Sequence, residues 1–210
     1  MSNVYYHIAG QAADRIVSLS DEIFGMALTL LVLELRLPTM NTVHSNHELE
    51  SALLRLLPEM LTCLMSFLNL GVFWIAHQKQ LDCLDHSDRR LTWIHLGFLF
   101  TVAISPFSTK LLADFIDFRV ALLIYWCNLL LLGAFLYISW AYSIRVGLLK
   151  DDVPARVPVA YCRNVLLAQL FYGIGAALCF INNYWSVGFI ISIQIIYAVG
   201  LSFSRKALEP

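Results

Sequence analysis

Between Arg15 and Pro38 the chain reads RIVSLSDEIFGMALTLLVLELRLP. Arg15, Ser20, Asp21 and Glu22 crowd its start, Glu34 and Arg36 crowd its end, and the run between them is apolar enough for lipid. A Ser–Asp pair at the edge of a bilayer demands hydrogen-bond donors. A carboxylate costs about 2.5–3.5 kcal/mol at mid-membrane, and less near the interface, unless it is paired or hydrated. Asp21 is therefore expected to face protein rather than lipid, with Arg15 and donors from the next two helices as partners.

A helical wheel separates the faces of this segment. With Asp21 at 0° and about 100° per residue, Leu33 falls near 120°, Met26 near 140°, Leu37 near 160° and Leu30 near 180°. These four form one narrow apolar stripe, with Thr29 on its flank. Ser18 and Asp21 lie on another face, and Glu22 lies nearer the stripe at its start. The wheel does not say whether the stripe packs against a neighbouring helix or does something else.

The other reactive side chains assemble no site. Among His7, His44, His47, His77, His86 and His95 no pair has i, i+4 spacing on one span, and H-E-x-x-H is absent. No metal site is implied. Ser105 and Ser108 flank Pro106 without a base on the same helix, so an intramembrane hydrolase has no visible nucleophile–base pair. The five cysteines contain no C-x-x-C, and an odd count does not suit a full disulfide framework. No enzyme and no cofactor are expected.

The elements that must position these residues follow from composition. Of 210 residues 59% are hydrophobic and 14% charged, against about 25% charged in soluble domains. An all-α membrane protein of a single domain, 1–210, is expected, and it has no nucleic-acid character. Six spans are predicted, at about 16–37, 51–76, 91–113, 118–144, 163–181 and 185–204. Pro58 and Pro106 predict a kink or a late helix start. The opening MSNVYYHIAGQAAD lacks the features of a cleaved signal. Ten of the fourteen Lys and Arg residues fall on one side, which predicts cytoplasmic termini and a multi-pass protein of a cell inner membrane. Five tryptophans read as interfacial anchors, and Gly173 with Ala177 reads as a close helix contact within or between subunits.

The stretch R15-x-x-x-L19-S20-D21, followed by F24 and T29-L30-L31-V32-L33, resembles the signature of the endolysosomal potassium channel family, transmembrane protein 175, in its short prokaryotic form. That signature is R-x-x-x-F-S-D followed by F-x-I-x-x-T-L-L-V-L. The likeness extends to His77 in WIAHQ and to DRRLTWIHLGFLF, which opens the third span. Three positions depart: Leu19 replaces Phe, Met26 replaces the Ile of the family's narrowest constriction, and His95 stands where relatives usually have Asn.

The resemblance implies a homotetramer in the lipid bilayer, with the first helix of each subunit lining a pore for potassium and other monovalent cations. Met26, Leu30 and Leu33 would form the constriction and gate. Thr29 would bear on selectivity, and Glu34 would be an acid at the pore mouth. Arg15, Ser20, Asp21, His77 and Asp88 would form a structural network holding the helix. No TVGYG-like carbonyl filter is present. The competing class is a secondary ion or solute transporter, with possible proton permeation. It would require inverted repeats and broken helices, and no internal repeat is visible.

Overall fold

The computed structural model describes residues 2–35, 45–154, 156–182 and 185–193, with side chains from Arg15 onward. The elements are α1 (Ser2–Leu33), α2 (Asn46–Asp82), α3 (Arg89–Asp114), α4 (Arg119–Val146), α5 (Arg156–Leu178) and α6 (185–193). Among the described residues four helices are long and apolar enough to cross a membrane: the Arg15–Leu33 part of α1, then α2, α3 and α4. The last eleven residues of the sixth expected span lie outside the described residues.

Helix boundaries follow local chemistry that hydropathy alone does not register. Ser45 caps α2 by accepting from the Glu48 backbone N–H at 3.2 Å. This S-x-x-E pattern marks a helix start, so the helix begins ahead of position 51. It runs on to Asp82, so the first part of the interval between the second and third expected spans is helix. At 37 residues α2 is about 55 Å long, well beyond a hydrocarbon core of about 30 Å. α4 ends at Gly147, whose φ of 74° places it in the left-handed region that favours glycine.

Neither proline delays or ends a helix, because Pro58 and Pro106 both lie inside continuous helices. Around Pro106 other donors bond to the local carbonyls. Ser105 Oγ and the Asn128 amide both donate to the Thr101 carbonyl, and Ser108 and Thr109 donate to that of Ser105. These bonds from hydroxyls and a neighbouring helix add support to the turns beside Pro106.

α3 is the hub, packing on α1, α2 and α4, while α5 packs on α4. Lipid gives helices little hydrophobic reason to associate, so packing and interhelical hydrogen bonds must do so. One buried polar cluster ties four helices together. Thr109 donates to Ser66 at 2.8 Å, Ser66 and Asn69 bond the Tyr125 hydroxyl at 3.2 and 3.1 Å, and Tyr172 donates to Asn69 at 2.9 Å. At the far end, the α2–α3 and α4–α5 loops join through a short bridge between Leu84 and Leu149. Asp85 N–H donates there to the Leu148 carbonyl, and Lys150 N–H to that of Cys83.

Two expectations about large and small residues change. Trp126 and Trp140 are fully buried core residues rather than interfacial anchors, whereas Trp93 and Trp185 are exposed. On α5 the close helix contact within the chain is made by Gly175 rather than Gly173. A Cβ there would meet Trp126 at 2.4 Å, while a Cβ at Gly173 would meet nothing within 4 Å. Gly175→Ala is accordingly expected to destabilise the detergent-purified protein by about 1–3 kcal/mol through overpacking. Gly173→Ala should leave its melting temperature nearly unchanged.

Candidate functional site

α1 has one face committed to its own bundle. Ile16, Ser20, Phe24, Ala27 and Leu31 are buried, following the helical spacing of i, i+4, i+8, i+11 and i+15. Phe24 sits between α2 and α3, its ring 6.3 Å from that of His77 and 5.9 Å from that of Phe98. Further along the helix, Cys63 of α2 donates its thiol to the Leu31 carbonyl at 3.2 Å.

The opposite side of α1 has no partner within the described chain. Met26 is 65% exposed, Leu30 44% and Leu33 76%. These are three residues of the stripe drawn from the wheel; the fourth, Leu37, lies outside the described residues. Thr29 is also exposed. Its hydroxyl donates to the carbonyls of Met26 at 2.8 Å and Gly25 at 3.1 Å, which leaves its oxygen lone pairs directed outward. Glu34 is exposed in the turn that closes α1. A carboxylate at a helix C-terminus opposes the helix dipole by about 0.3–1 kcal/mol, so stability does not account for its position.

Ser20 and Asp21 meet the second helix in different ways. The Ser20 hydroxyl lies 3.0 Å from His77 Nδ1, and both residues are buried. His77 is enclosed by rings, stacking on Phe98 at 4.6 Å. Its other nitrogen, Nε2, lies 3.0 Å from Nδ1 of His95 on α3. Asp21 is exposed, and its carboxylate accepts from the Trp74 indole at 2.8 Å and from the Gln78 amide. The charge thus faces protein donors, but at the rim of the bundle. Trp74 and Gln78 escape a reading by residue type, although they share a helix face with His77: Trp74 precedes Gln78 by four residues, and His77 lies between them.

Two members assigned to this network by resemblance lie elsewhere. Asp88 is the N-cap of α3, accepting from the Leu91 backbone N–H at 2.7 Å and from the Tyr142 hydroxyl at 2.5 Å. The free N–H groups of a helix start outcompete more distant donors for a carboxylate in this position. Arg15 does not close the network by pairing with Asp21. Six residues apart on one helix, the two point to different faces, since side chains three or four apart are the ones that meet. Arg15 instead borders a groove of about 420 Å³ between α1 and α3. Among the described residues no cluster of His, Cys, Asp and Glu is arranged to hold a metal ion.

Against known proteins, residues 15–106 match the family model for the endosomal/lysosomal potassium channel TMEM175. A potassium channel of Chamaesiphon minutus is 30% identical over 189 residues, spanning 88% of this chain and 93% of that one. The chain belongs to the TMEM175 family. The likeness holds in three dimensions. The crystal structure of a lysosomal potassium-selective channel TMEM175 homolog from Chamaesiphon minutus superposes with a TM-score of 0.77 at 28% identity, over 90% of this chain and 97% of that one. The human endosomal/lysosomal proton channel TMEM175 is 22% identical over 182 residues, of which this chain spans 35%. Within the TMEM175 family frame, the protein is a multi-pass membrane protein of channel lineage.

The Ser20–His77 contact generates a stability prediction. Ser20→Ala leaves the buried His77 Nδ1 without its hydroxyl partner, at a cost of about 1–3 kcal/mol. Glu22→Gln, on the exposed side, should stay within about 0.5 kcal/mol of wild type. Thermal unfolding in detergent, followed by loss of the monodisperse species, measures both.

Proposed function

We propose that the protein is a potassium-preferring cation channel formed by four copies of this chain, each contributing α1 to a central pore. The observation that carries the reading is the continuous exposed line Met26, Leu30 and Leu33 on a helix whose other side is buried. Family membership supports it, as does the potassium-channel identity of relatives that cover nearly all of the chain.

Met26, Leu30 and Leu33 from four subunits form stacked apolar rings around the axis. A narrow pore lined by such rings expels water and thereby blocks ions, and gating by dewetting needs only a modest widening or rotation. Met26 is the narrowest ring. Its unbranched, soft side chain adapts its shape more readily than a β-branched residue, so this constriction yields more easily than one built of isoleucine. Thr29, one turn past Met26, offers hydroxyl lone pairs that replace part of an ion's hydration shell and favour potassium. Glu34 raises the local cation concentration at the outer mouth, and Glu22 does the same at the inner one.

Ser20 and Asp21 hold the helix in place through His77, Trp74 and Gln78. Six spans per subunit, with α5 and α6 as an antiparallel pair in one domain, put both termini in the cytoplasm of a cell with an inner membrane. The Lys and Arg distribution supports this orientation. Permeant potassium is the ligand, and no cofactor takes part.

Potassium flux from reconstituted liposomes tests the gate. Met26→Ala widens the constriction and Met26→Asn wets it, so both are expected to raise flux about tenfold or more, corresponding to at least ~1.4 kcal/mol of barrier. Unchanged flux in both variants, with folded tetramers confirmed, would remove Met26 from the gate.

A further inference from the structure

Anchoring α1 engages only one nitrogen of His77. Beyond it, the structure continues a line of polar groups across the bundle: Ser20 Oγ to His77 Nδ1 at 3.0 Å, His77 Nε2 to His95 Nδ1 at 3.0 Å, and His95 Nε2 to Ser139 Oγ at 3.5 Å. All four residues are buried, and they come in turn from α1, α2, α3 and α4.

Two ring nitrogens 3.0 Å apart share one hydrogen, because one must donate and the other accept. With both rings neutral the line can run either way: Ser20 donates to His77 and His77 to His95, or His95 donates to His77 and His77 to Ser20. A proton added to His95 leaves only the second arrangement. His95 then carries N–H on both nitrogens, His77 presents a bare Nε2 to it, and His77 Nδ1–H points at Ser20, whose hydroxyl must become the acceptor. A second proton would set N–H against N–H. The pair therefore holds one proton or none, and taking it up fixes the bonding at the pore helix two residues away in the line.

The groove between α1 and α3 gives this site an entrance. Its volume is about 420 Å³, and Arg15, Ile16 and Leu19 of α1 face Thr92, His95 and Leu99 of α3 across it. His95 borders the groove and His77 does not. Among the described residues, Arg15 of α1 lies across the groove from His95, and His77 of α2 and the Ser139 hydroxyl of α4 bond it. No carboxylate among the described residues bonds either ring. A proton on His95 thus adds a cation across the groove from Arg15 with no bonded carboxylate among the described residues. Water drawn in to solvate it, together with repulsion from Arg15, works against the seating of Ile16 and Leu19 on α3.

We propose that His95 and His77 form a single-proton binding site, entered through the α1–α3 groove, whose occupation loosens α1 and raises conduction. The coupling to conduction rests on the channel reading; the proton site itself does not.

The test uses full-length protein in liposomes with ¹⁵N-labelled histidine, titrated across the imidazole range and below it. Solid-state NMR is expected to show one imidazolium per chain from this pair, lost in His95→Asn. Two imidazolium signals from the pair, or none, would overturn the site. In the same vesicles, acidification should raise potassium flux several-fold relative to neutral pH in wild type and in His86→Asn, whose ring pairs with Asp85 in the α2–α3 loop. The acid-to-neutral ratio should fall to near one in His95→Asn and in His95→Gln, the second variant guarding against misfolding of the first. An unaltered ratio in both variants overturns the coupling. A single imidazolium in vesicles that conduct at no pH supports the proton site and refutes the channel reading instead.

Discussion

A helix that borders both its own bundle and another partner has one variable that decides what it presents to each, its rotation about its axis. In α1 that rotation is fixed by Ser20. Its hydroxyl reaches a histidine nitrogen deep between α2 and α3, and Phe24, Ala27 and Leu31 follow it into the core at helical spacing. Turning the helix by one residue, about 100°, would bury Asp21 in place of Ser20. It would also withdraw the hydroxyl from His77, leaving a buried ring nitrogen unpaired at a cost of about 1–3 kcal/mol. The same setting leaves Met26, Leu30 and Leu33 facing outward.

The remainder of the chain is tied together as a frame. Ser66, Asn69, Thr109, Tyr125 and Tyr172 lock α2 to α5 through buried hydroxyl and amide bonds, and the loop bridge at Leu84 and Leu149 closes one end. Side-chain bonds from α1 to this frame are Ser20 to His77, Asp21 to Trp74 and Gln78, and the weak Cys63 thiol contact further along. Elements with few such ties open at lower free energy than the body they dock on. On the channel reading, α1 is the element whose small displacement against this frame opens the gate.

Much of this was legible in the sequence because it rests on periodicity. The stripe on α1, the apolar helices and the Ser20–Asp21 start all follow from residue type at helical spacing. The family signature singled out His77, and the structure places it against Ser20. What escaped depends on competition between partners. Asp88 and Arg15 share residue types with a charged network, yet a helix start claims the former and helix geometry turns the latter away from Asp21. Trp74 looked like an interfacial anchor because its indole is amphipathic, and the same property suits it to donate to Asp21 at the bundle rim. The His95 contact needed the crossing of α2 and α3, which no local pattern encodes. The extended α2 was legible in principle, since SNHE ahead of an apolar run is a helix start.

The central claim is that one side of α1 faces water in the conduction path while the other is sealed against its own subunit. The most direct measurement is cysteine accessibility along α1 in a cysteine-free background, read as block of potassium flux by a small, charged, water-soluble thiol reagent. The account predicts block at Leu30→Cys and Leu33→Cys and none at Ala27→Cys or Leu31→Cys. Equal reaction on both sides, or reaction at Ala27 and Leu31 alone, would contradict it.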